Sequence, residues 1–277
     1  MSADAPLLSI IIATFNAAAP LRETLLSLGS QKQIPANSVE IILQDGGSTD
    51  STVRLARESG LFHSLTSEPD GGVYDAMNKG ASRATGKWLQ FLNAGDKFHS
   101  EWALAHTLSH LADLDGQAAL WVIGRAVNTS LLDGRGVQIP SVPHNWVKHL
   151  LGVQPHCHQA TWFRRDVFMA IGGHALDFGT AGDYDLIVRC GLLGRPAVID
   201  TLIIDYEGGG MSAVGPKKTA LLLHDVRVSR LELAGLYRKL DYAVTRVLAL
   251  CNATRITLGR MRRGQQFHSA HDAARRA

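Results

Sequence analysis

The stretch SEPDGGVYDAMNKGASRATGKWLQFLNAGD, residues 67–96, decides the reading of the fold. It opens on a polar, Gly-containing corner, continues as a helical pattern over residues 73–84, and passes to an apolar run over residues 88–92. It closes on a second polar corner, Asn93-Ala94-Gly95-Asp96. The switch from helical to strand-like periodicity marks a helix followed by a strand. A buried strand that runs straight into such a corner forms the lip of a binding site. The question is whether one acid, Asp96, with an amide, Asn93, where a second acid would sit, can hold a metal ion.

Outward from this unit the same alternation repeats. Residues 7–13 (LLSIIIA) are a continuous apolar run rich in Ile, as in a strand covered on both faces. Pro20 then opens a helical pattern through Leu21, Thr24, Leu25 and Leu28. Residues 39–43 (VEIIL) read as a second strand that ends at Gln44-Asp45-Gly46-Gly47-Ser48, and a short third strand falls near residues 62–66. Strands alternating with helices through short loops predict an α/β fold with a doubly wound, mostly parallel sheet. Ligands bind such sheets beyond the carboxyl ends of the strands. Here those ends are Thr14-Phe15-Asn16, Asp45-Gly46-Gly47, Glu68-Pro69-Asp70 and Asn93-Ala94-Gly95-Asp96, four polar ends in succession. After residue 120 the pattern changes to a hairpin around Asp133-Gly134-Arg135-Gly136, a short helix at 145–151, a His-rich loop and a helix from about Asp183.

The chain has 277 residues, 45% hydrophobic and 19% charged, within the range of globular proteins. Cys157, Cys190 and Cys251 form neither a disulfide framework nor a zinc spacing, which favours a reducing compartment. The first apolar run is too short for a signal core, and no stretch reaches the roughly 20 apolar residues of a membrane span. A cytoplasmic location is expected. Residues 1–216 carry 15 basic and 21 acidic side chains, and residues 217–277 carry 13 basic and 4 acidic, so the net +3 hides an acidic body and a basic tail. The tail reads as helical over 217–264, with leucines and valines interleaved with arginines, and residues 265–277 read as a disordered end. A basic amphipathic helix suits a membrane surface; packing on the body or a homodimer is the competing account.

Several motifs are absent: the glycine fingerprint of dinucleotide binding, the Walker A lysine and the nucleophile elbow. Asp45 is placed to accept bonds from a nucleobase N–H or ribose hydroxyls, or else to cap its turn. Asp75, Asn78 and Lys79 fall within one helical turn, where Lys79 either meets a phosphate or lies on ordinary surface. His156 and His158 flank Cys157 without a fourth zinc ligand, so His158 and Gln159 read as lining an acceptor or phosphate side. Arg164 pairs with phosphate or with Asp166.

SIIIATFN (9–16), QDGGSTDST (44–52) and SEPDGGVYDAMNKGASRATGKWLQFLNAGD (67–96) resemble the nucleotide-binding half of family 2 glycosyltransferases, which have the GT-A fold. The likeness is close over about residues 7–100. It continues more loosely through HCHQATWFRRDVF (156–168) and GDYDLIVRC (182–190) to about residue 210. The subgroup it is most similar to builds bacterial exopolysaccharide or glycolipid. The resemblance implies one glycosyltransferase domain over residues 1–216, with an acceptor half over about 101–216. It also implies a nucleoside-diphosphate sugar donor, by default a UDP-sugar, and a divalent cation, Mn2+ or Mg2+. Transfer would invert the anomeric carbon and deliver the sugar to a glycan or glycolipid acceptor, with no nucleic acid; the membrane-surface reading of the basic tail implies a polyprenyl-diphosphate-linked acceptor at the inner membrane. Carried over by position, Thr14, Asn16 and Asp45 contact the nucleoside, and Asp70, Asn78 and Lys79 complete that pocket. Asp96 takes the metal with Asn93 assisting, although the family's Asp-x-Asp is degraded here. Asp183 falls on the catalytic base, with Asp185 as the other candidate and an N-cap pair without chemistry as the alternative; Gly182 stands where many relatives carry an acid. A catalytically silent, sugar-nucleotide-binding scaffold subunit is the competing reading of the whole chain. A nicotinamide oxidoreductase is disfavoured by the missing glycine fingerprint.

Overall fold

The computed structural model describes residues 5–114, 116–129, 137–138, 144–154, 156–207 and 215–251. The chain divides into two compact units, Met1–Gly210 and Met211–Ala277.

The first unit is built on the strands foreseen from the apolar runs: β1 Leu8–Thr14, β2 Val39–Asp45, β3 Ser64–Ser67 and β4 Trp88–Asn93. They lie in the order β3-β2-β1-β4, all parallel. Every residue of β1 is buried because both faces are covered. Leu8, Ile10 and Ile12 face one hydrophobic core, with Leu21 and Leu28 of α1 (Ala18–Gly29) and Ala56 of α2 (Thr52–Ser59). Ile11 and Ala13 face a second core, with Ala76, Met77 and Ala81 of α3 (Val73–Arg83). The period-2 alternation of β1 thus sorts its side chains between two helical layers. α3 rides close to the sheet at Gly80, where a Cβ would stand 2.4 Å from Ile11 Cγ2.

Beyond β4 the sheet departs from the parallel expectation. β8 (Thr161–Arg164) lies antiparallel between β4 and β6 (Trp121–Asn128). β6 pairs in parallel with β9 (Ala197–Tyr206), and β9 pairs antiparallel with β5 (Lys97–Phe98). β7 (Val137–Gln138) pairs antiparallel with β6, as the hairpin reading expects, whereas the turn at Asp133-Gly134-Arg135-Gly136 lies outside the described residues. The remaining helices of this unit are α4 (Ala103–Asp113), α5 (Trp146–Leu150), α6 (Arg165–Ala170) and α7 (Gly182–Leu193). Leu104, Leu108 and Leu111 of α4 join the first core; Phe168 of α6 and Leu186, Ile187 and Cys190 of α7 join the second.

The described residues of the second unit form a pair of helices, α8 (Pro216–Arg230) and a helix through 235–251, and not one continuous helix. Glu232 (φ 51°) and Gly235 (φ 53°) adopt left-handed backbone, which ends α8 and starts the return. The seam is polar. Asp241 accepts from Arg227 Nε at 2.8 Å and lies 2.6 Å from His224 Nδ1, while Arg227 Nη2 donates to Thr245 Oγ1 at 2.6 Å. Leu236, Leu240, Val244, Val247 and Leu250 are exposed instead. No helix among the described residues is long and apolar enough to cross a membrane. The expected disordered end at 265–277 and the Gly-rich stretch at 208–210 lie outside the described residues.

Candidate active site

Register brings the strand ends into one row. Thr14 pairs with Asp45, Asp45 with Ser67, and Ala13 with Asn93, so the polar residues that end four strands line the carboxyl edge of the sheet. Asp45 is fully buried in this row. Its Oδ1 accepts from Thr14 Oγ1 (3.0 Å) and Ser48 Oγ (2.5 Å). Its Oδ2 accepts from the Gly47 N–H (3.1 Å), the Ser48 N–H (2.8 Å) and Ser67 Oγ (2.6 Å). Burial opposes ionisation, but the bonds from Ser48, Ser67 and Thr14 hold this carboxyl below its ordinary range. Five donors already saturate it, so Asp45 shapes the corner. These turn contacts fit the other reading of Asp45, a cap on its own turn.

Asn16 sits beside it in left-handed backbone (φ 47°); its N–H donates to Ser48 Oγ (2.7 Å) and its Oδ1 accepts from the Thr49 N–H (2.9 Å). Between Thr14 and Asn16 projects Phe15, 63% exposed, an apolar ring at a polar strand end that the sequence reading passed over. Asp70 closes the pocket from the β3 side. A Cβ on Gly46 would lie 2.8 Å from Asp70 Oδ2, so the glycine permits this approach. Lys79 faces Asp75 (3.2 Å) and Glu68 (3.7 Å), so its charge is partly matched where it stands.

Asn78 leaves the pocket. Its Nδ2 donates to the His174 carbonyl (2.9 Å) and its Oδ1 accepts from the His174 N–H (2.8 Å), which fastens α3 to the 172–174 loop. Both ends of the amide are thus engaged by the 172–174 loop. Arg164 is likewise misplaced by the sequence reading. It pairs with Trp88, at the start of β4, five residues from Asn93 and so roughly 17 Å along the strand. Its guanidinium is bonded to Asp166 (2.8 and 2.5 Å).

Asp96 is 4% exposed. Its Oδ2 accepts from the Asn93 N–H (2.7 Å), and the side chains of Gln159 and Asn93 also bond to it. Burial pushes the carboxyl up to about 7, and the nearby Asp183 charge adds to this. Gln159 is therefore a clamp on Asp96. Its Oε1 accepts from Cys157 Sγ (3.2 Å) and its carbonyl from Gln90 Nε2 (2.8 Å).

Asp183 and Asp185 open α7 but face different surroundings. Asp185 is fully buried and ion-paired to Arg189 (2.7 Å), whose guanidinium also donates to the carbonyls of Ile171 (2.8 Å) and Gly173 (2.6 Å). It is a structural anchor, which removes it as the other candidate base. Asp183 has a side chain 41% exposed, yet its Oδ1 is buried and accepts no hydrogen bond. His158 Nε2 lies 3.7 Å from that oxygen. His158 is only 3% exposed and stacks on Phe91 (5.4 Å between centroids), so it lies beneath Asp183 and lines no open acceptor surface. Gly182 is explained by packing: a Cβ there would stand 2.6 Å from the Tyr74 ring, and Tyr74 Oη accepts from the Asp183 N–H (3.3 Å). His174 and Tyr74 are site residues the sequence reading missed; their signal, a Gly-Gly-His and a Tyr inside a helix, is too common to single out.

The family profile Glycosyl transferase family 2 matches residues 9–172. An uncharacterized glycosyltransferase of Mycobacterium tuberculosis is 34% identical over 212 residues, covering 76% of this chain and 78% of its own. A PGL/p-HBAD biosynthesis glycosyltransferase of Mycobacterium bovis is 35% identical over 225 residues, covering 75% and 80%. The fold is similar to that of Staphylococcus aureus TarS 1–349 in complex with UDP-GlcNAc (TM-score 0.62, 19% identity, 84% of this chain and 70% of that one). It is also similar to a Pyrobaculum calidifontis mannosyltransferase in complex with GDP-Man and Mn2+ (TM-score 0.60, 18% identity, 91% and 76%). A GT-A sheet with polar strand ends in register, and relatives matched over three quarters of the chain, make this protein a family 2 glycosyltransferase.

Proposed function

We propose that the chain transfers a sugar, with inversion, from a nucleoside-diphosphate sugar to a hydroxyl of a glycan or glycolipid acceptor. The observation that carries this reading is the pairing of two carboxyl groups in unlike settings: Asp96, buried at the strand edge, and Asp183, part-exposed with an unpartnered oxygen. A UDP-sugar is the default donor. The nucleoside lies over the Thr14 and Asn16 strand end and the 46–48 loop that Asp45 shapes, with Phe15 available to a base face and Asp70 on the far side. Lys79 stands near enough to Asp70 to serve a phosphate once released from Asp75.

Asp96 fits a cation held mainly by the donor itself. It is one carboxylate whose burial leaves it short of counter-charge, and a diphosphate and water complete an octahedral oxygen set. A bound Mn2+ or Mg2+ would offset charge on the departing diphosphate. Gln159 and Asn93 fix the carboxylate that faces it.

Asp183 serves as general base. The acceptor oxygen bonds to the anomeric carbon from the face opposite the diphosphate, the bond from that carbon to the diphosphate oxygen breaks, and the acceptor proton passes to Asp183. Asp183 is held in the first turn of α7. The acceptor half belongs to the region after residue 101. A lipid-linked acceptor is supported by the second unit, where Leu236, Leu240, Val244, Val247 and Leu250 recur on one side of a helix, exposed, with Arg238, Lys239 and Arg246 beside them. Peripheral contact with an anionic membrane suits a helix pair that keeps its polar groups inside.

The test is release of nucleoside diphosphate from a panel of UDP- and GDP-sugars with Mn2+ present. Turnover of one donor class supports the reading. Donor binding without any turnover, acceptor glycans included, would favour the silent scaffold.

A further inference from the structure

We infer that His158, His174 and Asp183 form a binding site for a transition-metal cation of the zinc class, with ligands separate from the Asp96 corner. One potential ligand atom from each of the three lies within 4.8 Å of the others. His158 Nε2 is 2.9 Å from His174 Nε2 and 3.7 Å from Asp183 Oδ1. Both imidazoles are almost wholly buried and their rings are held. Phe91 stacks on His158 and meets His174 edge-on at 4.8 Å, and Tyr74 stacks on His174 at 5.2 Å. The 172–174 loop is fixed by the two bonds to Asn78.

Between two neutral imidazoles a single N–H bridges the facing nitrogens. If His158 carries it, that proton serves His174 and leaves Asp183 Oδ1 unbonded. If His174 carries it, the bare lone pair of His158 faces the carboxylate. Asp183 Oδ1 is buried without a donor in this structure. Three electron-pair donors therefore converge with one proton among them, and leaving such groups unpaired in a buried setting is costly. A divalent cation accepts all three pairs. Imidazole nitrogen and carboxylate oxygen at about 2.0–2.2 Å are the ligands zinc, cobalt(II) and nickel(II) take. The nitrogens need open only a few tenths of an ångström to reach tetrahedral spacing. The exposed side of Asp183 supplies the entry path.

His174 Nδ1 is buried without a partner, so the usual second bond that steadies a metal-bound imidazole is missing. Binding weaker than at a structural zinc site follows. The site stands on its three side chains. Its consequence rests on the reading of Asp183 as base: a metal held there takes the carboxylate lone pair and blocks proton acceptance, so zinc inhibits transfer.

The experiment is a titration of the full chain with Co2+, followed by visible absorption and calorimetry, in the absence of nucleotide. The expected result is one Co2+ per chain with a nitrogen-ligated spectrum, displaced by Zn2+. His158→Gln and His174→Gln should each weaken it at least tenfold, while Asp96→Asn and His156→Gln retain it. Circular dichroism and melting establish that each variant is folded. If a variant does not fold, shifts of two imidazole resonances on adding Zn2+ to the wild-type chain replace it. Absence of a spectrum in the wild type, equal binding without His158 and His174, or loss through Asp96→Asn would overturn the inference. Zinc binding without inhibition would leave the site standing and count against Asp183 as base.

Discussion

Asn substitutions at Asp183 and Asp185, two residues apart on α7, should have opposite effects. Asp185 is fully buried against Arg189, whose side chain is 13% exposed. Removing one partner of a buried pair costs about 3–5 kcal/mol. Arg189 keeps its bonds to the Ile171 and Gly173 carbonyls, so Asp185→Asn should cost the lower part of that range or less, about 2–3 kcal/mol. For a unit of this size about 2–4 °C is lost per kcal/mol, which gives a drop in melting temperature of about 4–12 °C. Below its melting transition the variant should keep transfer within about tenfold, since no reacting atom is touched. Asp183→Asn removes a part-exposed carboxylate with no cationic partner. It should leave the melting temperature within a few degrees and lower the turnover rate by about 10²–10⁴. Melting curves and release of nucleoside diphosphate on the two purified variants check both halves. A folded Asp185→Asn that is inactive, beside an active Asp183→Asn, would refute the assignment of base and anchor.

Three further outcomes follow from the packing and charge. Asn78→Ala strips two bonds from the His174 backbone and should cost about 2–4 kcal/mol by denaturant unfolding, with nucleotide affinity changed less than threefold. Gly80→Ala drives a methyl to 2.4 Å from Ile11 and should cost about 1–3 kcal/mol in the same measurement. Asp96 has a folded value raised to about 7, above an unfolded value near 4. Its contribution is thus present below about pH 4 and is lost as pH rises through 7, at no more than about 1.4 kcal/mol per pH unit. The advantage of metal-free Asp96→Asn over the wild type in melting temperature should therefore grow as pH rises from 4 to 7, and be larger at pH 8 than at pH 5.

The half of the sheet from β1 to β4 was legible because its signals are local. Ile-rich β1, the Gly-containing corners and the helix over α3 each announce themselves within a dozen residues, and register then forces Thr14, Asp45 and Asn93 into one row. The other half is set by contacts far apart in sequence. Nothing near β8 states that it enters antiparallel beside β4, which is why Arg164 was expected at the site and lies at the opposite edge. Asn78 and Asp185 look like polar groups available for chemistry until the 171–174 loop arrives to use them. The same loop brings His174 to His158, a pair separated by 16 residues that no spacing rule joins. Gly182 shows the converse: a residue that looks like a lost acid is a packing requirement of Tyr74.

On this reading a nucleoside diphosphate binds at the carboxyl edge of the sheet together with a cation held by Asp96. Thermal shift with UDP and Mn2+, separately and together, on the wild type and Asp96→Asn tests it most directly. Mn2+ alone should move the wild-type melting temperature little, since one carboxylate holds it weakly. UDP with Mn2+ should raise it, since mass action adds about 2.7 kcal/mol of stability at a hundredfold excess over the dissociation constant, and Asp96→Asn should lose most of the part that depends on Mn2+. An equal shift in both proteins, or tight Mn2+ binding to the wild type without nucleotide that Asp96→Asn abolishes, would contradict it.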